Sequence, residues 1–599
     1  MKVFLLEMVV AAAVGAACAA QTATPAKSGQ GQTQAGAEDA KLKAIYTAEA
    51  AWRRAQRGES DDENDTRILP VLPHVDAATQ AAKLTHWEGV MRQLDGVRIT
   101  GLSTGEVVNY KVFRAQILVF ENQQRFREYE MPANSDSAFW SGLADPRLES
   151  FKTEQDYENY VAELKDLPRF FAEEMANMRA GLKRGFTPPK VTLAGRDASI
   201  AAIAEANSAQ STPFYKPFIA MPANIPADVQ AKLRAQAVAA IRDDVMPAYA
   251  RLLRFWREDY VPGAAASLAA EDLPDGKAFY RAQILEYATV DMTPQQIHAL
   301  GLKEMEGIHA EMLAAMKASG FKGDLPAFLQ FLRTDPQFYA KTPDELLARA
   351  AVIAKEFDGV AGKYFGYLPR QRFGIRPVAP EIAPFYTSAR GGPGVYLVNT
   401  YDLPSRGLYA LPALTLHESA PGHAFQIPIA MEHGKEDHLP KFRGAYISAF
   451  GEGWALYCER LGTEMGMYHT PYETFGMLSY QAWRAARLVV DTGIHSQGWT
   501  RGQAQSYLRE NTALSEHEIE TEVDRYISWP GQALSYYLGE MAILKARRKA
   551  EAALGAKFNV RAFHDAVLEL GSVPLPVLED HMDAWIAGGG VGPYAEMEK

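Results

Sequence analysis

Cysteine is nearly absent from this 599-residue chain, which has two, Cys18 and Cys458. Cys18 falls in an N-terminal leader, so no internal disulfide is expected and the fold must rest on its core. Histidine is scarce at 13 residues, which makes a close pair of them informative. Basic charge is not in excess: the net charge is −11 and the pI near 5.7, which argues against a nucleic-acid partner. The apolar run that opens the chain, Val3 to Ala17, is too short for a secure membrane span. Strand signals are few, and neither a fixed-period repeat nor a coiled-coil heptad is found.

Lys2, that apolar run and the small residues around Cys18 read as an export signal over residues 1–20. Gly15-Ala16-Ala17-Cys18 has some likeness to a lipoprotein cleavage box, and an Ala-x-Ala-type site is the alternative. Contact with a membrane is therefore expected only through an N-terminal lipid anchor. Residues 21–39 form a Gln/Ala/Gly/Thr/Ser tract, expected to be a disordered spacer. From residue 40 to 599 helical periodicity dominates. Segments 78–96, 152–184, 226–260, 293–319, 343–366 and 535–554 carry apolar residues at i, i+3, i+4 spacing. Thr500–Gln503 and Ser515–Glu518 fit capping boxes, and Thr293-Pro294 fits a helix start. The expected fold is mainly α, a large helical body around a central cleft. Gly394–Thr400 is the best strand, a small β ribbon that could pair with an extended peptide or be purely structural.

The strongest chemical signal is Leu416-His417-Glu418-Ser419-Ala420-Pro421-Gly422-His423. In H-E-x-x-H the histidines are four residues apart, about 400° of helix, and share a face for zinc. Here they are six apart, about 600°, so a straight helix would part them. Pro421 clashes with the carbonyl of His417 in a continuous helix, and Gly422 tolerates nearly any φ. The motif thus predicts a helix break at Ala420–Gly422 that swings His423 back towards His417.

Catalytic zinc needs three protein ligands. Glu452, in Phe450-Gly451-Glu452-Gly453-Trp454, is the leading third candidate, and Glu459 reads as a support or ion-pair partner. Glu418 would face the attacking water as general base. Arg484, Arg487, Asp491 and His495 share a helical face, so His495 is a candidate oxyanion donor and Arg487 a carboxylate anchor. Tyr526, Tyr536 and Tyr537 are candidate hydroxyl donors or substrate contacts. Gln532 beside them and Tyr396 in the ribbon are further candidate substrate contacts.

Taken together, His-Glu-Ser-Ala-Pro-Gly-His, Gly-Glu-Gly-Trp-Ala-Leu-Tyr, Asp-Thr-Gly-Ile-His and Arg-Tyr-x-x-x-Pro-Gly-Gln-Ala resemble the bacterial domain-of-unknown-function family 885. That family is similar to the helical gluzincin peptidases of the angiotensin-converting enzyme, thimet oligopeptidase and carboxypeptidase Taq type. The resemblance implies one Zn2+ held by His417, His423 and Glu452, with Glu418 as base. It also implies that His495 and a tyrosine such as Tyr526 or Tyr536 serve the transition state. The expectation is an exported zinc peptidase of short peptides, periplasmic or lipid-anchored, with a carboxypeptidase as the preferred subtype. Two other readings stand beside it: a non-catalytic peptide- or metal-binding protein, and a metal-dependent hydrolase of another amide.

Overall fold

The spacing of apolar residues and the caps become long helices at nearly the expected bounds. The structure, a computed structural model, describes residues 29–594 except 58–67, 136, 147, 381, 382 and 437. The leader lies outside the described residues, as do residues 21–28 of the expected spacer. Residues 29–39 depart from the spacer expectation. They open helix α1 (Gly29–Arg57), whose first turns are rich in the helix formers Gln and Ala. The Glu38 and Asp39 carboxylates accept from the backbone N–H groups of Arg98 and Ser103.

The elements that position the site are α2 (Glu154–Arg184), α3 (Pro294–Ala318), α4 (Pro343–Tyr364), α5 (Leu411–Glu418), α6 (His423–Glu436), α7 (Ser448–Met465), α8 (Pro471–Gln497), α9 (Glu516–Ser528) and α10 (Ser535–Leu554). Capping boxes start α2, α3, α8 and α9, from Thr153, Thr293, Thr470 and Ser515 respectively. The 226–260 segment is helical but slips into π turns at Ile241–Val245 and Trp256–Tyr260. Pro247 and Pro262 follow directly, and each removes a donor that a regular ladder would need.

The protein is mainly α, with one three-stranded sheet among the described residues. Strand β3 (Val395–Val398) is its centre, parallel to β1 (Gly374–Pro377) and antiparallel to β2 (Ala389–Gly392), so β2 is an edge. Among the described residues no helix is long and apolar enough to cross a membrane.

Helix α5 sits where three apolar clusters meet. Its Ala413, Leu416 and Leu411 each belong to a different one. A helix apolar on all sides is a buried one, and α5 is packed accordingly. Helix α8 is buried without interruption from Phe475 to His495. Its polar residues therefore need partners inside the protein. Helices α7 and α10 touch backbone to backbone. A Cβ on Gly453 would lie 2.4 Å from Gly539 Cα, so both positions need glycine.

Candidate metal centre

The helix breaks where Pro421 and Gly422 stand. Helix α5 ends at Glu418, α6 begins at His423, and Ala420–Pro421 is a cis peptide. The bend is held by Gly422 N–H to Leu416 O at 3.0 Å and Ala424 N–H to Ser419 O at 3.1 Å. Trp454 Nε1 donates to Pro421 O at 2.8 Å, which ties the bend to α7. A Cβ on Gly422 would stand 1.8 Å from His417 O, so the turn has no room for a side chain there.

This bend brings both imidazoles to Glu452 on α7. His417 Nε2 lies 3.5 Å and His423 Nε2 3.3 Å from Glu452 Oε2, and the three donor atoms lie within 4.8 Å of one another. Ligands about 2.1 Å from a tetrahedral ion stand roughly 3.4 Å apart, so this donor set fits one small divalent ion. His417 Nδ1 faces Glu459 Oε1 at 2.7 Å, and Arg484 Nη2 approaches the same oxygen at 3.6 Å. Such a carboxylate fixes the imidazole so that Nε2 presents its lone pair to the cluster.

Burial disfavours a charged His417, but hydrogen bonds to Glu452 and Glu459 outweigh it and push the pKa up to about 10. The same histidines outweigh the effect of burial on Glu452 and hold its carboxyl well below the usual range. Glu452 and Glu459 thus favour a positive charge at the cluster, which a cation would supply in place of the His417 proton.

Glu418 is half-buried beside the cluster, and its Oε2 accepts from Gly391 N–H at 2.6 Å. Gly391 pairs with Tyr396 across β2 and β3, yet its N–H points away from the sheet and towards Glu418. A Cβ on Gly391 would sit 1.7 Å from Glu418 O. The site's β element is therefore the edge strand β2, one strand away from the ribbon expected from sequence.

Several sequence candidates stand elsewhere. Tyr396 is fully buried under the sheet, its hydroxyl 3.2 Å from Thr415 Oγ1, so it lines no open surface. His495 is also fully buried, with Nε2 on Tyr526 O at 2.9 Å and Nδ1 accepting from Ala270 N–H at 3.2 Å. Burial lowers its pKa to about 4. A neutral imidazole with both nitrogens on backbone groups joins helices and has nothing left to offer an oxyanion. Asp491, four residues before it, serves Tyr280 and Gly531 N–H instead.

Tyr526 accepts from Trp483 Nε1 at 2.8 Å and Arg487 Nε at 2.9 Å. Arg487 also donates to Glu522 at 2.8 Å, so its charge is already answered. Tyr537 donates to Glu304 at 3.0 Å on α3. Gln532 is buried in the single turn ahead of α10. Tyr536 does reach the cluster, with its ring 6.4 Å from that of His417 and the Arg487 guanidinium 4.2 Å from its centroid.

Tyr446 is a residue that sequence reasoning missed. Its hydroxyl donates to Glu452 Oε1 at 3.0 Å, and its ring lies 6.4 Å from that of His423. It remains 48% exposed, so it reaches the cluster from the solvent side. It stands in a loop ahead of α7, where no periodic pattern marks it. The glycine opposite is the trace it leaves in the sequence: a Cβ on Gly451 would be 2.3 Å from the Tyr446 ring.

Helical packing around a buried His–His–Glu cluster defines a mainly α protein with a candidate mononuclear metal centre. The chain belongs to the family described as "Bacterial protein of unknown function (DUF885)", whose model matches residues 54–582. It is similar to the crystal structure of a protein from Colwellia psychrerythraea provisionally classed as a lipoprotein. Identity there is 26% and the TM-score 0.81, covering 93% of this chain and 100% of that one. A provisionally classed lipoprotein of unknown function from Shewanella oneidensis shares the fold at 16% identity and a TM-score of 0.61, covering 91% of this chain and 98% of that one. No curated protein matches the chain significantly.

Proposed function

We propose that this protein is an exported zinc-dependent peptidase of short peptides. The observation that carries the reading is the convergence of His417, His423 and Glu452 beside a carboxylate, Glu418, that is not part of the donor set. A binding protein would have no need of that fourth group. Zn2+ held by two histidines and a glutamate supplies Lewis-acid polarisation and acidifies water.

The chain's own groups do the rest. Glu418 takes the proton of the attacking water as the C–O bond forms, then delivers it to the amine as the C–N bond breaks. Its hydrogen bond from Gly391 N–H keeps the carboxylate aimed while leaving Oε1 to act. An extended peptide pairs with the main-chain groups of the edge strand β2 that Glu418 leaves unused, which sets a carbonyl beside Glu418. Tyr536 flanks the cluster as a hydroxyl donor to the developing oxyanion, and Tyr446 holds Glu452. Glu459 and Arg484 position His417.

Export is supported by the apolar leader and Cys18 in the sequence, and it agrees with the lipoprotein class of two structural relatives. The test is hydrolysis of a mixed peptide library by wild type and Glu418→Gln. Cleavage that disappears in the variant supports the reading. Cleavage unaffected by the substitution, or none from the zinc-loaded wild type, overturns it.

A further inference from the structure

Leu414 and Leu411 lie one and two turns ahead of Glu418 on the same face of α5, given their spacing. Both line a cavity of about 270 Å³ whose wall includes Ser388, Arg406, Tyr480 and Glu518. Two lengths of chain tie this cavity to Glu418. Leu414 is four helical residues away, about 6 Å along the axis. Ser388 stands directly ahead of β2, three residues from Gly391 and at most about 10 Å of chain away. A peptide on the β2 edge with a carbonyl at Glu418 would bring a neighbouring group to this cavity.

The wall sets two arginines, Arg333 and Arg406, against two glutamates, Glu516 and Glu518, whose oxygens are already engaged. Glu518 is already saturated: Oε1 accepts from Ser388 Oγ at 2.6 Å, and Oε2 from Ser515 N–H at 3.1 Å and Oγ at 3.0 Å. Glu516, also on the wall, is taken up by Arg509 at 2.7 Å. Arg406 is 8% exposed, and its Nη1 donates to Ser388 Oγ at 2.9 Å and stands 3.5 Å from Glu518. Its Nε is buried with no hydrogen-bond partner among the described residues. Arg333 spends its Nε and Nη2 on the carbonyls of Leu514, Arg509 and Thr512 rather than on a carboxylate. A guanidinium carries five N–H donors, so the pair retains capacity for an acceptor-rich anion.

We propose that this cavity is a carboxylate subsite, in which Arg406 and Arg333 take the acidic group of a peptide substrate. The carboxylate belongs either to an Asp or Glu side chain or to the C-terminus. The subsite rests on the peptidase reading for its place beside Glu418, while the arginine pair stands without it. It offers Arg406, which lines this cavity, as a carboxylate anchor in place of Arg487, whose Nη2 is held by Glu522 at 2.8 Å.

The test measures binding without turnover, using zinc-loaded full-length protein carrying Glu418→Gln. A neutral peptide with an amidated C-terminus is compared with its free-acid form and with its Gln-to-Glu analogue. One acidic form should bind about tenfold tighter than its amide, as expected for a charge-assisted pair. Dependence on the free terminus assigns the C-terminal carboxylate, and dependence on Glu assigns the side chain. Arg406→Gln should bring that ratio near one, and Arg406→Lys should restore part of it. Equal affinity for all three peptides overturns the subsite without needing any Arg406 variant to fold. Wild-type hydrolysis with no acid preference in binding sinks the subsite and leaves the peptidase reading intact. Acid preference with no hydrolysis by wild type does the reverse.

Discussion

Glu459 Oε1 stands 2.7 Å from His417 Nδ1, on the side of the imidazole opposite Glu452. This pair holds the buried imidazole of His417 in one orientation. Outer-sphere partners of this kind typically contribute 10–100-fold in metal affinity. Glu459→Gln should therefore weaken zinc binding about tenfold or more in a chelator competition, with the helical circular-dichroism signal unchanged. Unchanged zinc affinity would remove Glu459 from the account.

Tyr446→Phe deletes the hydroxyl that donates to Glu452 Oε1 at 3.0 Å and keeps the ring that fills the space at Gly451. Because the Tyr446 hydroxyl positions Glu452, kcat should fall about tenfold with little change in melting temperature. A loss in KM alone would assign the residue to substrate binding instead.

The bend can be tested through its glycine. Gly422→Ala places a Cβ 1.8 Å from His417 O, which the backbone relieves by displacing the His417 peptide or the bend itself. Overpacking of this kind costs at least about 1–3 kcal/mol. Zinc affinity and melting temperature should drop together. Wild-type affinity in Gly422→Ala would show that the bend does not set the ligand geometry.

The bend that brings His417 and His423 together was legible because it is local. Pro421 and Gly422 are the two residues best able to break a helix between His417 and His423, and Glu452 lies on a helix with a clear apolar face. Glu459 was legible too, one axial step beyond Glu452. What failed was long-range satisfaction. The row Arg484–Arg487–Asp491–His495 has a functional spacing, but α8 is buried from Phe475 to His495, and the partners of its polar groups are whatever packs against it. Glu522, Tyr280 and the Tyr526 carbonyl took those roles from positions no local pattern reveals. Tyr446 and Gly391 were missed for the same reason: a loop tyrosine and a strand-edge glycine matter only once the chain is folded.

His495 gives a pH signature of that structural role. Burial lowers its folded pKa from 6.5 to about 4. A histidine with a depressed folded pKa contributes stability above the unfolded value, and this is lost as pH falls from about 6.5 to 4. The shift corresponds to about 3 kcal/mol at 1.36 kcal/mol per unit. Asp491, raised to about 7 by burial, acts with opposite sign in the same range, so the readout is the difference between wild type and His495→Gln. The gap in melting temperature between the two should be widest at pH 7 and shrink towards pH 4. A gap independent of pH would mean that His495 is not held neutral.

Zinc stoichiometry of the purified full chain tests the central claim most directly. After dialysis against metal-free buffer, wild type and Glu418→Gln should each retain about one zinc per chain, while His423→Ala and Glu452→Ala should lose it. No zinc bound by wild type, or zinc undiminished in the His423 and Glu452 variants, would contradict the site built by the bend at Pro421–Gly422.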